Sequence, residues 1–436
     1  MESTGSRRLI QWAVFLGWTS IVLARTGWRA SFDTIWAEDG LIFLEQARGE
    51  GIGALFRPYN GYLHLVPRLA VMPIAELPLA FAAGSMSVMA ALIAAGCAGI
   101  IWQTSRSRLP AATSFALATY SILLPTAGVE LLGNLTYLQW SMLAASAWVL
   151  LVRSPGRAAW WGAAFLFATC LSAPQAIVLL PLALVQAARQ PKAGLLPAGG
   201  LLLGLALQWG FISASLGVGN AHGFASISAI LGPAMESFFG RVVLGTVLGD
   251  VFNAHFSSLL DSGTYLALAQ GTTGFLTLAF VWFARRLRSD ALEPALWLVA
   301  MSIGLFAFCV IARDTIPGPG FFGARYVATS GFFLASAGAL ALVHGTRGIR
   351  WPVAVAFGTA VLACAVSFST PGVLRQDPSW NQGLDAAQEQ CEGMRGDLFL
   401  IDGVAVEPVV SIPISPVGWS FQIKCSDLDP GWFGPT

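Results

Sequence analysis

Charge is what this chain has least of. Aspartate, glutamate, lysine and arginine make up 11% of its 436 residues, and of the 24 basic residues only Lys192 and Lys424 are lysines. Length alone would fit two or three soluble domains, but a chain this poor in charge is not one. A net charge of +1 gives no pull towards a polyanion, and no nucleic-acid partner is expected. Spacings such as His-x-x-Glu-His and Cys-x-x-Cys are missing, which argues against a dedicated zinc site. There is no internal repeat and no low-complexity segment. No small-residue cleavage site follows the first apolar run (9–25), so that run reads as a retained span rather than a signal peptide.

What is present is apolar. Hydrophobic residues reach 56% and the mean hydropathy is +0.68, against about 45–50% apolar in soluble domains. Runs near 20 residues, long enough for a hydrocarbon core of about 30 Å, recur along the chain. The expectation is an all-α polytopic membrane protein with about eleven transmembrane helices: 9–25, 80–102, 112–128, 135–152, 158–172, 173–188, 194–215, 264–284, 293–311, 326–344 and 352–369. Ser172-Ala173-Pro174 supplies a tight turn between the fifth and sixth. With the N-terminus inside, the short inner segments hold 13 basic residues and three acids, leaving 11 and 20 for the outer segments. That asymmetry obeys the positive-inside rule. Reading 158–188 as one helix would flip every later loop and put Arg285, Arg286 and Arg288 outside. The localisation expected is therefore an inner (plasma) membrane, with residues 1–369 forming the transmembrane domain and 370–436 an extracytoplasmic α+β piece. Trp28, Trp36, Trp102, Trp140, Trp160, Trp161, Trp282 and Trp351 fall near span ends, as an interfacial aromatic belt would place them.

The first outer loop breaks the apolar pattern. "IWAEDGLIF" (35–43) sets Glu38 beside Asp39, ahead of a piece, Leu41–Ala47, too short to span and suited to lie at the interface. A second such piece runs over Leu63–Glu76. Asp39 is well placed as the N-cap of the first piece. One cap and one solvated acid would account for the pair. Against that, a cap needs one carboxylate rather than two, and Arg57, Tyr59, His64 and Arg68 follow within 30 residues. Further outer candidates are Arg313 and, in "FFGARYV" (321–327), Arg325 and Tyr326, placed where a lipid phosphate would lie. Glu130 and Asn134 in "GVELLGNLTYLQW" (128–140) are suited to hydrogen bonding sugar hydroxyls, or are simply a polar loop. His222 lies in the loop 216–263, where Phe238–Phe252 reads as a third interfacial helix and the loop as a possible cap on the site. Cys97, Cys170, Cys309 and Cys364 fall inside spans, whereas Cys391 and Cys425 share the outer tail and are expected to form a disulfide. The tail's nine acids against three basic residues argue against an anionic surface as its partner.

An acidic pair in the first outer loop, interfacial helices on either side, an inner N-terminus, about eleven spans and an outer C-terminal piece resemble the GT-C superfamily of integral-membrane glycosyltransferases. "AEDG" and "PYNGYLHLVPR" resemble its bacterial members. The resemblance implies inverting transfer of a sugar from a polyprenyl-phosphate donor to a glycan, lipid or protein acceptor on the outer face. It implies an acidic residue as base, here Asp39 or Glu38, with Asp39 the first choice, and in some members a divalent metal, for which Glu38 and Asp39 would be the ligands. It also implies phosphate contacts from later outer loops. Chemistry agrees: the base takes the acceptor's proton as the sugar C1 gains oxocarbenium character, and a leaving phosphate needs cations more than an acid. Two readings stay open beside it, a multi-span transporter or lipid-linked-glycan flippase and a surface-glycan ligase or polymerase. Ion-coupled carriers keep ionisable groups in mid-span, and none of the eleven expected spans has one there.

Overall fold

The computed structural model describes residues 4–127, 131–152, 155–216, 227–259, 264, 271, 285, 287, 289–313, 323–369, 377–394, 400–401, 404–405 and 407–428. Helix α1 (Thr4–Arg25) and α2 (Trp28–Asp33) lead to a π-helical turn (Asp39–Leu44) that continues as α3 (Glu45–Glu50). A 3-10 turn (Gly51–Phe56) precedes α4 (Leu65–Ala75). The bundle follows as α5 (Ala82–Ser105), α6 (Ala111–Leu123), α7 (Leu138–Leu151), α8 (Arg157–Cys170), α9 (Leu180–Arg189) and α10 (Pro191–Leu216). Then come α11 (Ile227–Ser237), α12 (Gly245–Leu259), α13 (Ser289–Arg313), α14 (Ala324–His344) and α15 (Arg347–Val366). The C-terminal segment comprises α16 (Trp380–Gly393), hairpins β1 (Leu400–Ile401) with β2 (Val404–Ala405) and β3 (Val409–Ile414) with β4 (Trp419–Lys424), and α17 (Cys425–Leu428).

Five helices among the described residues are long and apolar enough to cross a membrane: Leu79–Ser105, Pro191–Ala214, Asp290–Ala312, Ala324–His344 and Arg347–Val366. Helices of that kind belong in a lipid bilayer, and the chain is a helical membrane protein. The expected count of eleven is not reached by this measure. Helix α1 has the length, 22 residues, but Gln11, Thr19, Ser20 and its terminal arginines dilute its apolarity. Helices α6 and α7, with 13 and 14 residues, cover only about 20 Å each at 1.5 Å per residue. Proline explains the first of these: Leu124, before Pro125, is driven out of helical geometry (ψ 123°). The last carbonyls of α6 are then capped by a side chain from another helix. The buried Arg25 donates to Ile122 O and Leu124 O, both at 2.7 Å. The expected span 264–284 falls almost wholly outside the described residues.

The turn expected at 172–174 is present. Helix α10 passes Gln186, near the end of α9, at Gly194, packs its Pro197 against Gly162 near the start of α8, and reaches Cys170 at Gly204. Helices α8 and α9 therefore run in opposite directions, joined by a 3-10 turn from Pro174 to Leu179. The ends of α1, α6, α8, α10 and α13 and the starts of α5, α7 and α14 gather at the end of the bundle that carries the first loop.

The segment expected as a third interfacial helix is instead packed into the bundle. Gly240, Arg241 and Val242 are buried in a π-helical stretch, Phe238–Leu244, where Arg241 Nε meets Asp250 Oδ1 at 3.2 Å with both side chains 2% exposed. Pairing the two charges removes the reason for either to seek water. Of the tryptophans assigned to a belt, Trp28, Trp160, Trp161 and Trp351 are exposed as a belt requires, but Trp36 and Trp140 are buried; Trp282 lies outside the described residues.

The C-terminal segment closes over the first loop. Asp33 accepts hydrogen bonds from Ser379 Oγ (2.7 Å) and Asn381 N (2.9 Å), and Trp380 Nε1 donates to Leu79 O (2.8 Å). Ser415 exchanges backbone bonds with Ile35 and Ala37 (2.9 and 2.5 Å), a single parallel bridge that sets Trp36 beside the end of the β3–β4 hairpin. Gly40 follows them. A side chain there would meet Ile414 Cδ1 at 2.9 Å and Ile35 Cγ2 at 3.0 Å, so the "AEDG" glycine sits in close packing that a larger residue would have to push aside. The Cys391–Cys425 disulfide, with 5.6 Å between its Cα atoms, pins α16 to the end of β4.

One contact at this seam titrates. Glu45 Oε2 accepts from Gln422 N at 3.3 Å. Burial raises its carboxyl above the usual glutamate value, offset in part by that bond. The folded chain therefore holds the proton more tightly than the unfolded one. That contribution to stability is full below the ordinary glutamate pKa and is lost as pH rises through the raised value. Glu45→Gln removes the dependence. The melting temperature of the variant minus that of wild type is expected to increase from pH 4 to pH 7, and a flat or falling difference would contradict the assignment.

Candidate functional site

A cavity of about 610 Å³ opens at the first-loop end of the bundle. Its wall draws on the first loop, the start of α7, the turn after α8, the ends of α10 and α13 and the start of α14. Of the residues singled out in the sequence it brings together Glu38, Tyr59, His64, Arg325 and Tyr326.

The two adjacent carboxylates part company. Asp39 is buried and does not line the cavity. Its Oδ2 accepts from Leu135 N (2.7 Å), and its Oδ1 accepts from Thr136 N (2.8 Å) and Thr136 Oγ1 (2.5 Å). It caps a segment 96 residues away, while the helical turn it begins starts without a side-chain cap. These bonds set the approach to α7, and Asn134, also buried, completes it by accepting from Tyr137 N at 3.1 Å. Asn134 thus forms the turn into α7 and is not among the cavity-lining residues.

Glu38, one residue earlier, is half-buried and faces the cavity. Tyr137 Oη donates to its Oε1 at 3.3 Å, while Oε2 is buried with no hydrogen-bond partner among the described residues. The same Tyr137 hydroxyl accepts from Arg325 Nη1 at 2.9 Å. The Arg325 guanidinium also stands 5.0 Å over the Tyr137 ring and 4.8 Å over that of Tyr326. One tyrosine therefore joins a carboxylate to a cation in a single cavity wall. Trp36 supports Tyr137 edge-on and Trp140 supports Tyr326 in the same way.

The stretch "PYNGY" forms a tight reversal at the rim. Tyr59 and Tyr62 exchange backbone bonds of 2.9 and 3.2 Å, and both central residues have positive φ, Asn60 at 51° and Gly61 at 82°. That is the Asn-Gly turn of a two-residue hairpin. The turn delivers both tyrosines to the cavity and sets Tyr62 against the buried His64, with centroids 4.2 Å apart and the rings tilted by 32°.

Arg57 is not among these groups. It is exposed and pairs with Glu50 at 2.7 Å, which raises its pKa. Nearness in sequence misled here, because the 3-10 turn before it carries the side chain outward. Arg68 is buried behind the wall, donating to Gln46 at 2.8 Å and lying 5.1 Å over Phe43. Burial lowers its pKa to about 10. Glu130, His222 and the side chain of Arg313 lie outside the described residues. Among the residues of 227–259 whose side chains are described, none lines the cavity.

A divalent ion shared by Glu38 and Asp39 does not fit. Both Asp39 oxygens are committed to the α7 approach, and no cluster of three metal-ligating side chains occurs among the described residues. Sequence reading missed Thr136, Tyr137, Gln139, Trp140, Gln175 and Trp209, all of which line the cavity. Only the polar cluster "NLTYLQW" at the start of an apolar helix could have signalled four of them. Comparison with protein-family models, curated proteins and solved structures gives no match.

Proposed function

We infer that this chain is a GT-C-like glycosyltransferase of about eleven spans, with its N-terminus inside and its cavity on the extracytoplasmic face. It moves a sugar from a polyprenyl-phosphate donor to a hydroxyl acceptor with inversion. The observation that carries this reading is the joining of Glu38 to Arg325 through Tyr137. Positive-inside asymmetry supports the orientation. Glu38, not Asp39, is the base. It removes the proton from the acceptor hydroxyl as that oxygen attacks C1 of the sugar, the C1–O bond to phosphate breaks, and the lipid phosphate leaves as an anion beside Arg325. Acidic assistance to the leaving group is unnecessary, since the phosphate is already a stable anion.

The test is turnover by the purified chain in nanodiscs, with a panel of polyprenyl-phosphate sugars and crude surface glycan as acceptor. Release of free polyprenyl phosphate that needs both donor and acceptor is expected. Absence of release from every donor would favour the transporter reading, which has the buried Arg241–Asp250 pair in its favour.

A further inference from the structure

The part of the cavity wall away from the charges has its own chemistry. Gln139, in the first turn of α7, and Gln175, in the turn between α8 and α9, are buried and line the cavity. Gln175 Nε2 donates to Gln139 Oε1 at 3.2 Å. That single bond leaves an NH₂ group on Gln139 and a carbonyl oxygen on Gln175 with no protein partner among the described residues. If both amides are rotated, the roles exchange and the same result follows: one donor and one acceptor remain side by side. Trp140, the next residue along α7, adds a buried indole N–H without a partner among the described residues. Amides set into an apolar wall are costly unless something completes their bonding.

A hydroxyl group both donates and accepts, so neighbouring hydroxyls on a ring match an edge that offers one of each. A carboxylate only accepts and would face the Gln175 carbonyl without a proton between them. The guanidinium of Arg325 stands apart from this pair, on Tyr137 and over two tyrosine rings, at the part of the cavity assigned to the phosphate. We propose that the Gln139–Gln175 pair is the subsite for the uncharged, hydroxylated ring of the substrate, and that it selects neutral sugars over uronic acids. This rests on the transferase reading for the identity of the ring but not for its binding.

Binding therefore tests it without turnover. Bare farnesyl phosphate, farnesyl-phospho-sugars carrying glucose, galactose, mannose or arabinose, and the glucuronate and galacturonate counterparts would be titrated into the full chain in nanodiscs, following tryptophan fluorescence. At least one neutral sugar is expected to bind about tenfold more tightly than bare farnesyl phosphate, and neither uronate should gain. Gln139→Leu/Gln175→Leu is expected to erase the gain while leaving affinity for bare farnesyl phosphate and the melting temperature unchanged. A gain that survives in the double variant, an equal gain with a uronate, or no gain with any neutral sugar would each overturn the proposal. If the sugar gain follows the glutamines but bare farnesyl phosphate shows no affinity, the subsite stands and the phosphate-linked donor falls. Should the double variant unfold, Gln175→Glu, which puts a carboxylate at the same edge, must still weaken the neutral sugar about tenfold.

Discussion

Glu38→Gln is expected to lower turnover by about 10³-fold while leaving the melting temperature and donor affinity near wild type. General-base catalysis contributes about 10²–10⁴ in rate, and the amide cannot take a proton at any working pH. It can still accept the Tyr137 hydroxyl through Oε1, so the wall keeps its shape. The loss should therefore appear in kcat and not in KM. Retention of more than a tenth of wild-type turnover would remove Glu38 from the role of base. Wild type and variant are best compared at saturating donor, where a change in affinity does not imitate a change in chemistry.

Asp39→Asn is expected to act in a different way, as a loss of stability of about 2–4 kcal/mol, from the usual cost of leaving buried donors unsatisfied. Two backbone N–H groups and a hydroxyl converge on its two oxygens. Asparagine has one oxygen, and its NH₂ would be turned against either Leu135 N–H or Thr136 N–H. Chemical unfolding of the two proteins in the same lipid environment measures the difference. An unchanged unfolding midpoint would show that the α7 approach does not depend on this carboxylate. The two variants together separate roles that the sequence presents as one: activity lost with stability kept at position 38, stability lost first at position 39. Testing Asp39 alone would give an inactive protein for the wrong reason.

That separation shows how far the sequence could be read. Segments with a local cause were legible. Apolar runs gave the long helices, and Pro174 gave the reversal between α8 and α9. The pairing of Cys391 with Cys425 followed from there being two cysteines outside the spans. The Asn-Gly pair at 60–61 was quoted for its resemblance, and its turn was not seen, although the signal is local. Positions whose role is fixed by a distant partner were not legible. Asp39 carries no mark that its partners are Leu135 and Thr136, and Tyr137 looks like any aromatic at a span end. Trp140 fits a belt by position until α14 is packed against it. Gln139 and Gln175 are ordinary polar residues until the reversal at 171–174 puts one beside the other. Arg57 was credited with a role because it is close to Glu38 in number, whereas a helical turn directs it away.

The seam between the first loop and the C-terminal segment has a consequence in time. Asp33, Ile35, Ala37 and Glu45 are made well before the groups that hold them, which come 346 to 377 residues later at the Asp33 and Glu45 contacts. At about 5–20 residues per second of synthesis, the segment that precedes Glu38 waits on the order of 20 to 75 seconds for its neighbour. During that interval the helices can insert and pack one after another, while the edge of residues 35–37 stays open to any other extended chain. The segment that leads into Glu38 is thus completed only after the bundle, and a ribosome that stalls within the β3–β4 hairpin leaves a protein whose helices are built and whose first loop lacks its support.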